Sequence, residues 1–288
     1  MFRWEIEPRC NLKCKHCFVA DTEYGCATTS LENGLSYLNK LHELGVRTVV
    51  FSTREPLLYD GLCRLIYEAK LLDMSVAIVT NGILLDDMEL SRKLVESGVD
   101  EVFVSIEGIT AASNDFIRGK GTLARVIRGL SNLERCTREG KKLVRLFIQM
   151  SINQLNMAEG SDMPEFFNVL PIDGLIISAI GASGNAAKNR DIILSQESDE
   201  YIACCKTIIE KYLELKKFIL WCVNKIGEIL NKSYTGVVLF NDTTSSHSRQ
   251  KLLETGFTIC GSLNNERSSM DTPVDIYFLN TIALGHML

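Results

Sequence analysis

The sequence predicts an α/β protein: a partial (β/α)6 barrel over residues 1–186, followed by a C-terminal accessory α+β region over 187–288. Two observations carry this expectation. Short β-branched runs alternate with longer segments of helical periodicity through residue 181, and most of the runs after the first have a continuous apolar centre rather than strict polar alternation. Strands buried on both faces read this way and belong to parallel sheets covered by helices. Length agrees, because 288 residues is about two domains at roughly 150 residues each, or one α/β barrel with an appendage.

The elements follow in order. "RWEIE" (3–7) is the first strand; after it, Thr29 and Glu32 form a capping-box pair for a helix whose apolar face is Leu31, Leu35, Leu38 and Leu41, ending at Gly45. "RTVVFS" (47–52) and "GLCRLIYEAKLL" (61–72) make the second unit. "VAIVT" (76–80) leads to a helix opening at Asp86–Asp87 and stopping at Gly98. "EVFVSI" (101–106) precedes the helix at 122–136, and "LVRLFIQMSI" (143–152) precedes a short helix near 162–170. "GLIISAI" (174–180) is the sixth strand. Consecutive right-handed units of this kind make a TIM-like partial barrel the economical architecture. Beyond 181 the rhythm is lost, leaving a long helix around 198–217, a strand "GVVLF" (236–240) and a polar tail.

A net charge of −5 lacks the basic footprint of a nucleic-acid binder. The Arg138, Lys141, Lys142 and Arg145 cluster reads as the solvated end of a helix. The N-terminus has no apolar signal region, and "FILWCV" (218–223) is far short of the roughly 18 residues needed to span a membrane. A cytoplasmic protein with no membrane span is expected. Its ten cysteines then read as metal ligands plus buried small hydrophobes, not as a disulfide framework.

In a parallel barrel, chemistry gathers on the loops after the C-terminal ends of the strands. The stretch "PRCNLKCKHCFV" (8–19) follows the first strand and places Cys10, Cys14 and Cys17 in a C-x3-C-x2-C pattern. "STREPLL" (52–58), "TNG" (80–82) and "SIEG" (105–108) follow the next three strands. A structural zinc wants four ligands, usually as two pairs; only Cys26 or Cys63 could add one here, and neither lies in a C-x2-C unit. A redox pair, Cys14 and Cys17, leaves Cys10 without a role. Three inert thiols in a polar, Lys-rich loop are the bland alternative. Three thiolates suit a 4Fe–4S cluster whose fourth iron is reserved for another ligand.

At this point the residues resemble the radical S-adenosylmethionine (SAM) superfamily. "CNLKCKHC" is similar to its cluster loop, "EPLL" (55–58) to its Gly-Gly-Glu-Pro loop, and "VTNG" (79–82) to its third-strand motif. "VSIEGITAASNDFIRGKGTLARVIRGL" (104–130) and "SINQLN" (151–156) resemble the stretches at its fourth and fifth strands. The resemblance implies one 4Fe–4S cluster on Cys10, Cys14 and Cys17, with SAM chelating the free iron and being cleaved to a 5′-deoxyadenosyl radical. It also implies Glu55 and backbone around Arg54 at the SAM ammonium, Asn81 and Ser105 near the ribose, Arg118 near the carboxylate, and His16 and Phe18 beside the adenine.

Two departures modify that expectation. Thr53-Arg54 stands where the family has Gly-Gly, so a positive-φ turn there would be strained and SAM binding altered. "GFTICGSL" (256–263) resembles the opening of the cysteine-rich SPASM extension, yet no cysteine follows Cys260, so a truncated extension without an auxiliary cluster is expected. The implied activity is hydrogen abstraction from a peptide or protein substrate, with an electron donor such as flavodoxin or ferredoxin. The alternatives are a small-molecule or tetrapyrrole substrate, a degenerate relative that binds without turnover, and a zinc-stabilised barrel.

Overall fold

The structure, a computed structural model, describes residues 1–20, 29–195, 198–215, 219–222 and 238–239. A single sheet organises them, with its strands in chain order and every neighbouring pair parallel. Strand β1 (Phe2–Trp4) is followed by α1 (Leu31–Glu43), and β2 (Thr48–Phe51) by α2 (Leu62–Leu71). Next come β3 (Ser75–Thr80) with α3 (Met88–Glu96), and β4 (Glu101–Ser105) with α4 (Ala111–Arg118) and α5 (Thr122–Gly140). Then β5 (Arg145–Ile152) leads to α6 (Met163–Asn168), and β6 (Gly174–Ala179) to α7 (Asp199–Leu215).

The apolar strand runs are buried as their composition demands. Val49, Val50 and Phe51 of β2 and Val102, Phe103 and Val104 of β4 are all buried, and Phe103 stacks on Phe147 of β5 with ring centroids 4.9 Å apart. Helix α5 turns Leu123, Val126, Leu130 and Leu133 inward, the i, i+3, i+7 stripe of a helix lying on a core. Burying one such side chain contributes about 1.5–3 kcal/mol.

The sequence-based expectations differ from the structure at four places and agree at a fifth. The first strand ends at Trp4 because β2 offers pairing partners only to Phe2, Arg3 and Trp4. Helix α1 is capped by Ser30, whose Oγ accepts from the Asn33 N–H at 3.2 Å, one residue later than the Thr29–Glu32 pair. Helix α4, absent from the sequence reading, starts at the N-cap Thr110 and stops at Gly119. The stretch containing "ILWC" forms a strand, β7 (Ile219–Cys222), parallel to β6. The expected strand at 236–240 is seen as β8 (Val238–Leu239), paired with β7. Thus the sheet continues where the sequence rhythm is lost. Cys26 and Cys260 lie outside the described residues, and with Cys260 the SPASM-like stretch. No helix among the described residues is long and apolar enough to cross a membrane.

Candidate active site

The C-terminal ends of β1 to β6 open onto one cavity of about 230 Å3. Of the residues singled out in the sequence, Cys10, Cys14, His16, Cys17, Phe18, Arg54, Asn81, Ser105 and Arg118 line it, and Glu55 does not. Thr80, Glu107 and Ser151, which lie inside the marked stretches but were given no role, and Gln149 and Ser178 join them.

The cysteine loop is pinned by its backbone. Cys17 N–H donates to the Cys14 carbonyl at 3.2 Å, and Lys15 N–H donates to the Ile117 carbonyl at the end of α4 at 2.9 Å. Cys10 is exposed, Cys14 buried and Cys17 intermediate. Burial pushes the Cys10 and Cys14 thiols up, an effect that the Arg118 guanidinium opposes at Cys14. Asn81 lies close to Cys10, its Nδ2 at 3.9 Å from Sγ and 2.7 Å from Asn11 Oδ1. All three thiols line the one cavity, and three thiolates are what a cubane takes when its fourth iron is left for another ligand.

Glu55 explains its absence from the cavity wall. It is fully buried, and its Oε1 accepts from Leu57 N–H at 3.0 Å and Thr80 Oγ1 at 2.7 Å, while Oε2 accepts from Asn81 N–H at 2.8 Å. Burial pushes the carboxyl up, and the bonds from Thr80, Asn81 and Leu57 pull against it. Its carboxylate therefore ties the second loop to the third. Just before it, Thr53 (φ 69°) and Arg54 (φ 52°) both adopt left-handed backbone. The expected strain is present. Arg3 of β1 holds the turn, donating from Nε to Ser52 Oγ at 2.6 Å and from Nη2 to Thr53 Oγ1 at 2.7 Å.

A residue of the marked "SIEG" stretch that was given no role sits opposite. Glu107 is buried; His16 Nε2 and Arg118 Nη1 lie 3.1 and 3.2 Å from its Oε1, and Ser151 N–H donates to its Oε2 at 2.9 Å. Burial pushes this carboxyl up, but His16, Arg118 and the Ser151 N–H outweigh it and hold the group below the usual carboxylate range. The signal was available: an acid just past the end of a strand with a buried apolar run (Val102, Phe103 and Val104) is carried into the barrel mouth. His16 Nδ1 and Arg118 Nε are buried without a hydrogen-bond partner in the protein. The Arg118 Nε–H suits a ligand that brings an acceptor, and the His16 nitrogen a polar partner, since leaving such buried groups unmet costs about 1–3 kcal/mol each.

Residues 4–148 match the Radical SAM superfamily. The chain belongs to that superfamily. Among curated proteins it is similar to the Fe-coproporphyrin III synthase of Methanosarcina barkeri, 34% identical over 169 residues, which are 58% of this chain and 40% of that protein. It is also similar to the mycofactocin maturase MftC of Mycolicibacterium smegmatis, 27% identical over 153 residues, 53% of this chain and 39% of that one. The chain thus spans about two-fifths of the length of these relatives. Streptococcus suis SuiB, solved with bound S-adenosylmethionine, shares the fold with a TM-score of 0.61 at 15% identity, covering 83% of this chain and 57% of SuiB. SuiB has also been solved bound to its precursor peptide SuiA. The protein is accordingly a radical SAM enzyme, using a 4Fe–4S cluster and SAM.

Proposed function

We propose that the enzyme abstracts hydrogen from a peptide or peptide-derived substrate, with Cys10, Cys14 and Cys17 as the cluster ligands. The observation that carries this reading is the convergence of those three thiols with the buried Arg118–Glu107–His16 constellation on one cavity. When bound, the cluster and SAM supply an electron and a carbon-centred radical. The chain's own residues would orient SAM. Arg118, fixed by Glu107 and holding an unpaired Nε–H, would receive the SAM carboxylate, and the turn at Thr53–Arg54 its ammonium through backbone. Glu55 would act one step back, holding that turn against Asn81 rather than touching the ligand. Ser105 and Asn81 would face the ribose, and His16 and Phe18 the adenine.

The peptide class is supported by MftC and SuiB. A second reading, a tetrapyrrole or other small molecule, is favoured by the 34% identity to the coproporphyrin enzyme. The barrel part, 1–186, would carry the chemistry, with 187–288 as an accessory region and reduced flavodoxin or ferredoxin as electron source. Such an oxygen-labile system fits the cytoplasm.

The test is anaerobic reconstitution followed by assay of 5′-deoxyadenosine under strong reductant. Cys10→Ala, Cys14→Ala and Cys17→Ala combined should abolish both the visible absorption and the product; persistence of either would refute the ligand assignment. Stimulation of turnover by an iron porphyrin bearing propionates, and by no peptide from neighbouring open reading frames, would replace the first substrate class by the second.

A further inference from the structure

The polypeptide just beyond β6 returns to the cysteine loop. Asn185 N–H donates to the Cys17 carbonyl at 2.9 Å, and its side-chain Nδ2 donates to the Cys14 carbonyl at 2.9 Å. One turn later, Asn189 Nδ2 donates to the Lys15 carbonyl at 3.2 Å. Three carbonyls of the loop's final turn are thus held by one short segment about 170 residues away in sequence. The approach is so close that only glycine fits beside it. Gly184 has φ +52°, and a Cβ there would lie 2.4 Å from the Cys17 carbonyl oxygen and 2.5 Å from that of Phe18. On the opposite side the loop is tied to α4 through the Lys15–Ile117 bond. Residues 184–189 lie outside the span matched to the superfamily, which ends at 148.

We propose that residues 184–189 are a strap that sets the position of Cys14 and Cys17, with Asn185 as its central positioning residue. A half-buried Asn amide whose N–H is committed to a carbonyl fixes the peptide plane carrying that carbonyl, and the planes on either side of Cys14 and Cys17 set the Cα–Cβ directions from which their thiols extend. The same planes aim the loop's N–H groups, and hydrogen bonds near cluster sulfurs tune reduction potential. The strap therefore preorganises the thiols and shapes their electrostatic surroundings without touching the metal or SAM. This inference rests on the assignment of Cys14 and Cys17 as ligands.

Asn185→Asp tests it, because the side chain keeps its shape and replaces the donor by a carboxylate facing a carbonyl. The readouts are the rate of iron release from the reconstituted protein to a ferrous chelator, the EPR g-values and midpoint potential of the reduced cluster, and amide hydrogen exchange over residues 10–19 of the apoprotein. Release should speed up roughly three- to tenfold in Asn185→Ala and more than tenfold in Asn185→Asp, following the loss of one part-buried hydrogen bond and then its conversion to a repulsion. Exchange should rise in the same order, and the g-values and potential should shift. Release and exchange within twofold of wild type in Asn185→Asp would overturn the proposal. If Asn185→Asp does not fold, Asn189→Asp applies the same test at the Lys15 carbonyl. Exchange in the apoprotein reads the strap even if the thiols bind something else, whereas the triple cysteine variant reads the ligand assignment alone, so the two can fail separately.

Discussion

Thr53 shows how one residue can carry strain and its compensation together. Its φ of 69° costs about 1–3 kcal/mol in a residue with a Cβ, yet its hydroxyl is the acceptor for Arg3 Nη2. Thr53→Val keeps the strain and removes the acceptor from a charged donor, so it should destabilise by about 2–3 kcal/mol. Thr53→Gly loses the bond but also the strain, and should stay within about 1 kcal/mol of wild type. Denaturant midpoints at unchanged m decide this; equal midpoints for the two variants would show that the backbone at 53 carries no strain, and a Thr53→Val midpoint at the wild-type value would show that Arg3 does not hold the turn. Glu55 makes a second case. Both of its oxygens accept, and no bond leaves it as a donor. Glu55→Gln must point an NH2 at the Leu57 and Thr80 donors or at the Asn81 N–H, and should cost about 1–3 kcal/mol. With its carboxyl pushed up by burial, the folded state holds the proton more tightly than the unfolded chain does. Stability from this site therefore falls as pH rises from the ordinary carboxylate range through the higher folded value. The Gln variant should lack that slope in a pH series of melts.

At the scale of elements, legibility follows from periodicity. Helix α5 and strands β2, β4 and β5 were plain because their burial repeats over many residues. Helix α4 was not, because its eight residues (Ala111–Arg118) bury Ser113, Asn114, Ile117 and Arg118, a face that is mostly polar. It is held by bonds that no pattern announces: Glu159 accepts from Ile109 N–H and from the hydroxyls of Thr110 and Ser113. At its far end Asp115 accepts from Gly121 N–H at 2.6 Å, Leu123 N–H at 2.9 Å and Thr122 Oγ1 at 3.0 Å. That carboxylate caps α5, whose formal N-cap, Gly121, has no side chain to do so. Asp115→Ala should cost about 1–2 kcal/mol, the loss of a helix cap, and should loosen Arg118, the last residue of the same short helix. Thermal melts and SAM titrations of the variant check both effects; an unchanged melting temperature would mean that the loop 119–121 closes without Asp115.

For the molecule as a whole, the parallel sheet places its strand ends and therefore its chemistry on one face, which is why a local cysteine pattern could be assigned to a mouth from sequence. Contacts that assemble the mouth from distant strands were beyond that reading: Glu107 with Ser151, Arg3 with Thr53, and the strap with Cys14 and Cys17. The cysteines outside the loop are dispersed by the same architecture. Cys63 belongs to α2, Cys136 is buried on α5 with Sγ 3.6 Å from Met88 Sδ, and Cys204 and Cys205 are buried on α7. Burial pushes the Cys204 thiol up to about 12, the opposite of what a thiolate ligand needs. A cubane requires three or four thiolates at one place, which among the described residues only the loop after β1 provides, so reconstituted protein should hold about four irons per chain. Cys204→Ala should leave that number unchanged, and the triple loop variant should reduce it to background. An iron content near eight, with half surviving in the triple variant, would establish a second cluster and displace the single-cluster architecture.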